Sequence, residues 1–134
     1  MISKAVVQAV KAAFPTLPIR VGRDPDPILV IAAKHPAVGD VSIRDEGDEV
    51  SLAIGDLTHG HFSSPDPRLP EQEAALRIAA SVVEFLNDLF ADRVIVWQGP
   101  GGVAGGWRVL PEGRDVTGGR MPGVKRYVWS GPIG

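Results

Sequence analysis

The chain has 134 residues, of which 44% are hydrophobic and 22% are charged, and this predicts one soluble domain that folds without a disulfide or a structural metal. The absence of cysteine excludes disulfide frameworks, thiolate zinc sites, iron–sulfur clusters and cysteine nucleophiles. The net charge of −2 is too small to indicate a partner. There is no signal-peptide pattern and no apolar run near the ~20 residues of a membrane span, so we expect a cytoplasmic protein of bacterial type.

The amino-terminal half predicts one helix followed by strands. Ser3 can cap a helix whose apolar residues recur on one side, and Pro15 ends that helix. Residues 28–33 form a continuous apolar run rich in β-branched side chains, which favours a strand covered on both faces. Residues 41–44 and 50–54 alternate between apolar and polar around an acidic turn, and this pattern is typical of a β-hairpin.

The clearest prediction in the carboxy-terminal half is a long amphipathic helix. After a proline-rich loop at residues 63–70, apolar residues recur along one side for about 20 residues, or ~30 Å. A strand at residues 93–98, a glycine-rich loop at residues 99–106 and a short strand at residues 107–110 then indicate a second hairpin. One late strand is expected at residues 124–129.

The order of these elements, α-β-β-β-α-β-β, predicts an α+β fold. Because tight turns join consecutive strands, we expect an antiparallel sheet of about five strands packed against two helices. Residues 1–110 should form this single domain, and residues 111–134 an irregular Gly/Pro-rich tail that docks on the domain or on a second copy. The charges also differ between the two parts of the chain. Residues 1–92 hold eight Lys/Arg and fourteen Asp/Glu, whereas residues 93–134 hold six Lys/Arg and two Asp/Glu.

One short segment, residues 58–62, carries two histidines at a spacing found in metal sites on strands. If the second strand of the first hairpin continues through this segment, His59 and His61 lie on one face, because side chains i and i+2 of a strand share a face. A metal site needs further ligands, and His35 or Asp56 can complete one for a divalent metal such as zinc. The alternatives are two solvated histidines at a strand end, or acid–base chemistry by a histidine that Asp56 orients.

Other motifs lack a required component. The sequence has no Gly-x-Ser-x-Gly nucleophile elbow, which argues against a hydrolytic triad. The glycine-rich loop is followed neither by the Lys-Ser/Thr pair nor by the helix of a phosphate-binding loop. The acidic turn at residues 45–49 lacks the ligand spacing of a calcium loop. Its acidic residues are those expected at the solvated tip of a hairpin.

The last part of the chain combines basic and aromatic residues, which indicates an interaction surface. The candidate interaction residues are Trp107, Arg120, Lys125, Arg126, Tyr127 and Trp129. Such residues can stack on single-stranded nucleic acid, but the rest of the chain is acidic and has no nucleic-acid-binding motif, so neither nucleic acid nor a membrane is the expected partner. Docking on an open sheet edge is favoured instead, and the alternative is that the tryptophans fill the core.

No group of residues is complete enough for catalysis, and no cofactor is expected. The sequence therefore predicts a small non-catalytic binding or interaction module that self-associates. The alternative is a metal-binding or metal-dependent hydrolytic protein that uses His59 and His61.

Overall fold

The fold is given by a computed structural model that describes residues 2–22, 26–99, 101, 105–110 and 123–133. Within these ranges the chain forms two helices and nine strands. In chain order they are α1 (Ile2–Ala13), β1 (Ile19–Val21), β2 (Leu29–Ile31), β3 (Val41–Asp45), β4 (Glu49–Ile54), β5 (Thr58–Ser63), α2 (Glu71–Phe90), β6 (Val94–Gln98), β7 (Gly105–Val109), β8 (Lys125–Val128) and β9 (Gly131–Ile133). The α+β class and the antiparallel pairing are confirmed, but the strands form two sheets rather than one.

The first five strands form one sheet in the order β1-β2-β3-β4-β5, so that each strand pairs with its neighbour in sequence. The predicted hairpin is formed by β3 and β4, and the segment at residues 58–62 lies within β5, which pairs with β4. Residues of β4 are alternately buried and half-buried along the strand, as expected when one face of a sheet packs on the core.

Both helices pack against the same face of this sheet. The buried residues of α1 are Ile2, Val6 and Val10, and those of α2 recur at helical spacing from Ala75 to Leu89. They belong to one hydrophobic core together with the inward-facing residues of β2, β3 and β4. In the part of the chain that the structure describes, neither helix is long and apolar enough to cross a membrane.

Two hydrogen bonds to Asp45 hold the end of β3. Ser3, which was predicted to cap α1, lies inside the first turn of that helix, and its hydroxyl donates to Asp45 Oδ2 at 2.5 Å. The amide of Gly47, at the tip of the β3–β4 hairpin, donates to Asp45 Oδ1 at 2.8 Å. Asp45 therefore joins the start of α1 to the sheet.

The last four strands form a second sheet in the order β7-β6-β8-β9. Its strand β6 pairs with β7, as expected for the glycine-rich hairpin, and also with β8. The late strand expected at residues 124–129 is present as β8, and a further strand that was not predicted, β9, follows it. Residues 111–122 of the predicted tail lie outside the described residues. The pairing of β8 with β6 joins segments far apart in sequence, which a pattern within a short window cannot reveal.

Aromatic residues join the second sheet to α2 and β5. The ring centroids of Trp107 on β7 and Phe85 on α2 lie 4.8 Å apart. A Cβ added to Gly60 of β5 would stand 3.0 Å from Trp107 Nε1, so glycine at this position lets the indole lie directly against the strand. At the end of α2, Phe90 packs on Trp129 with the centroids 5.3 Å apart. The two sheets and both helices therefore share one core.

Candidate functional site

Strand β5 lies at one edge of the first sheet and carries two exposed histidines. In the register with β4, His59 is opposite Ala53 and His61 is opposite Ser51. The ring centroids of the two histidines lie 5.4 Å apart, and their ring planes meet at 87°. Both imidazoles are therefore neighbours on one face of the strand, as the i and i+2 spacing requires.

Glu49 on β4 is a partner of His61 that the sequence did not indicate. Its Oε1 lies 3.2 Å from His61 Nδ1, and the side chains of His61 and Glu49 are 51% and 34% exposed. An ionised carboxylate can only accept a hydrogen bond, so a proton on Nδ1 is the arrangement that this contact favours, and Nε2 is the ring nitrogen that Glu49 does not contact. Because both side chains are open to water, this contact orients the ring more than it stabilises the fold.

His35 lies at a different contact, between the β2–β3 connection and the second sheet. Its Nδ1 accepts a hydrogen bond from the amide of Ala37 at 3.0 Å. Its ring lies against Gly131 of β9, where an added Cβ would stand 2.9 Å from His35 Cδ2. These contacts give His35 a role in packing and in the local turn.

Asp56 is exposed in the turn between β4 and β5 and borders the same shallow depression as His59. Among the described residues, no group of three or more His, Asp or Glu side chains is arranged to hold a metal ion. Of the residues predicted for a metal site, the structure brings His59 and His61 into contact. It adds Glu49 as a neighbour, which only the strand register could have revealed.

The residues predicted for an interaction surface differ in burial. The three aromatic ones are half-buried or buried in the chain's own core, namely Trp107, Tyr127 and Trp129. Lys125 is exposed and Arg126 is half-buried on β8, and Arg120 lies outside the described residues. The aromatic part of the predicted surface therefore packs inside this chain, and the basic residues of β8 remain closer to its surface.

The outer sheet face is the side of the first sheet opposite the helices. By strand register it consists of Arg20, Val30, Ser42, Arg44, Glu49, Ser51, Ala53, His59, His61 and Ser63. On the central strands β3 and β4, Ser42, Ser51 and Ala53 are half-buried, whereas Arg44 and Glu49 lie towards the hairpin end. The two arginines lie on β1 and β3, whereas the glutamate and the histidines lie on β4 and β5.

The side chains of the outer sheet face limit its chemistry. Two imidazoles can bind a metal ion or exchange protons, and one carboxylate can orient an imidazole. The small side chains at the centre permit the close approach of another surface. Comparison of the chain with protein-family models, with curated proteins and with solved structures finds no match.

Proposed function

We propose that this protein is a small binding module without catalytic machinery of its own, and that it associates with a second copy through the outer sheet face. The composition at the centre of that face carries the proposal. Ser42, Ser51 and Ala53 are small and half-buried, so the backbones of two sheets can approach without displacing long side chains. Face-to-face sheets pack about 10 Å apart, which requires such complementary faces.

Charge complementarity supports a second copy as the occupant. Arg44 on β3 and Glu49 on β4 lie on the two neighbouring strands at the centre of the face. A two-fold axis that lies between β3 and β4 and runs parallel to them brings Arg44 of one copy towards Glu49 of the other. The same symmetry brings Glu49 of the first copy towards Arg44 of the second. A second copy therefore places opposite charges near one another, in addition to the contact that Glu49 makes with His61 in its own chain.

The size of the face favours reversible association. Four overlapping strands, ~4.8 Å apart and about five residues long, have a projected area of about 300 Å² per copy. Stable complexes bury roughly 800 Å² per partner. We therefore expect weak self-association that increases with protein concentration.

Sedimentation equilibrium of the full chain over a range of concentrations tests the proposal. Ser42→Lys places a long charged side chain at the centre of the face and should weaken association by ~10-fold or more, because the lysine is desolvated without a partner. Ala80→Lys introduces the same side chain at an exposed position of α2 and should associate like the wild type. Circular dichroism verifies that both variants fold.

Two results would overturn the proposal. One is a wild-type chain that remains monomeric at millimolar concentration. The other is a folded Ser42→Lys variant that associates as tightly as the wild type and as Ala80→Lys, which would exclude this face as the interface.

A further inference from the structure

We propose that His59 and His61 form a surface site for a divalent transition-metal ion, and that Glu49 positions His61 for binding. The site lies on β5, at the edge of the outer sheet face. Two imidazoles supply protein ligands, and water fills the remaining coordination positions.

The geometry of the pair allows a shared ion. With 5.4 Å between the ring centroids, rotation of the side chains can bring one nitrogen of each ring to ~2.0–2.1 Å from the same ion. Both side chains are exposed in the single chain, so an ion can reach them from solvent while the fold stays intact. The strand backbone keeps both rings on one face, because β5 is held in register by β4 along its length.

The contact with Glu49 distinguishes His61 from a histidine that merely lies on a surface. Metal-binding histidines commonly donate the proton of their other ring nitrogen to a carboxylate, which fixes the tautomer and makes the ligating nitrogen more basic. His61 Nδ1 lies 3.2 Å from Glu49 Oε1, and in our proposal Nε2, the ring nitrogen that Glu49 does not contact, is the ligating atom. His59 stands beside that ring on the same face.

The donor atoms select the class of ion. Imidazole nitrogen suits zinc, copper and nickel, whereas magnesium and calcium require mainly oxygen ligands. The carboxylate in contact with the pair is engaged by His61. We therefore expect Cu²⁺ to bind more tightly than Zn²⁺, following the general order of affinity for divalent ions, and Mg²⁺ not to compete.

The metal site does not rest on self-association. Both ligands come from one chain, and Ser42 lies on β3, two strands away from β5. Because His59 and His61 belong to the outer sheet face, self-association covers them, so a folded Ser42→Lys variant that stays monomeric should bind Zn²⁺ at least as tightly as the wild type. Loss of Zn²⁺ binding in this folded variant would contradict a metal site that one chain forms by itself.

Nuclear magnetic resonance of the tag-free full chain during a Zn²⁺ titration tests the proposal directly. The chain has three histidines, so each imidazole can be followed separately. We expect Zn²⁺ to shift the ring signals of His59 and His61 and to leave those of His35 unchanged. Before metal is added, the ring spectrum should show His61 with its proton on Nδ1.

Calorimetric titration of variants with Zn²⁺ gives the magnitudes. His59→Ala or His61→Ala should weaken binding by roughly 100-fold, because the second ligand of a pair binds at high effective concentration. Glu49→Ala should weaken it by ~10-fold, as expected for a residue that orients a ligand. His35→Asn is the matched control, since asparagine can still accept the amide hydrogen bond of the turn, and it should bind like the wild type.

Two outcomes would overturn the site. One is the absence of shifts at His59 and His61 up to millimolar Zn²⁺. The other is equal Zn²⁺ affinity in the wild type and in a folded variant that lacks both histidines. Unchanged affinity in Glu49→Ala would overturn the positioning role of Glu49.

Discussion

At the scale of single residues, Asp45 shows how one carboxylate ties a helix to a sheet. The Ser3 hydroxyl is the main influence that lowers the pKa of Asp45 from its ordinary value of 3.8, and the amide of Gly47 lowers it further. Partial burial of the carboxylate opposes this effect and raises the pKa. The net lowering means that the ionised form of Asp45 is favoured by folding.

Ser3→Ala should therefore destabilise the protein in a pH-dependent way. Because the folded-state pKa lies below the unfolded value, the stabilisation is present above that value and is lost as the pH falls through the lowered pKa. Near neutral pH the variant should lose about 1 kcal/mol of unfolding free energy, as for a partly exposed hydrogen bond to a charged group. Urea unfolding at neutral and at acidic pH measures this difference, which should close in acid.

Ser3→Thr is the control for this experiment because it keeps the hydroxyl, and it should follow the pH profile of the wild type. The greater helix propensity of alanine does not depend on pH, so the change with pH is the informative quantity. A loss in Ser3→Ala that is equal at neutral and at acidic pH would contradict a role for the hydrogen bond to Asp45.

At the scale of elements, the two turns of the β3-β4-β5 meander contain glycine for different reasons. Gly47 has a φ of +100° and open space where a side chain would stand. Gly55 has a φ of +50°, and a Cβ there would stand 2.1 Å from the carbonyl oxygen of Val38. The first turn requires only an unusual backbone conformation, whereas the second also requires close contact between two segments of backbone.

Gly55→Ala should consequently be more damaging than Gly47→Ala. We expect a loss of about 1 kcal/mol of unfolding free energy for Gly47→Ala from the positive φ alone. For Gly55→Ala we expect about 3 kcal/mol, because the clash with backbone adds to the strain. Urea unfolding of the two variants side by side measures this difference, and equal losses would show that the β4–β5 turn relaxes freely.

At the scale of the whole molecule, the two sheets share one core through α2. The three tryptophans of the chain lie on β6, on β7 and directly after β8, so tryptophan fluorescence reports on the second sheet. Far-ultraviolet circular dichroism reports mainly on the two helices. Because Phe85 and Phe90 of α2 contact Trp107 and Trp129, unfolding of the second sheet should expose the face of α2 that packs on it.

The two signals should therefore follow the same urea transition, as expected for cooperative two-state unfolding. Trp129→Ala should lower the midpoint of both signals together, with a loss of about 3–5 kcal/mol for a buried tryptophan. Leu76→Ala on α2 is the control, since Leu76 is 58% exposed, and its effect should be small. A fluorescence transition that precedes the loss of helix signal would indicate that the second sheet unfolds separately.

In the candidate site, the arrangement of residues within one strand could be predicted from the sequence, whereas the contacts between strands could not. The two histidines share a face because of their spacing, and that much was predictable as soon as the segment was recognised as a strand. The contact between Glu49 and His61 depends on the register of β4 and β5, which joins residues from different strands. His35 was a plausible third ligand by sequence, but it packs against Gly131 of β9, a strand that no local pattern indicated.

Short-range patterns were sufficient for α2 and for the β3–β4 hairpin, because helical periodicity and strand alternation express burial within a few neighbouring residues. They also predicted the α+β class. The separation of the strands into two sheets, the burial of Tyr127 and Trp129 and the surroundings of the histidine pair followed only from the folded chain. Each of these depends on contacts between segments that are distant in sequence. The pattern within a short segment does not indicate which distant segment it will contact when the core forms.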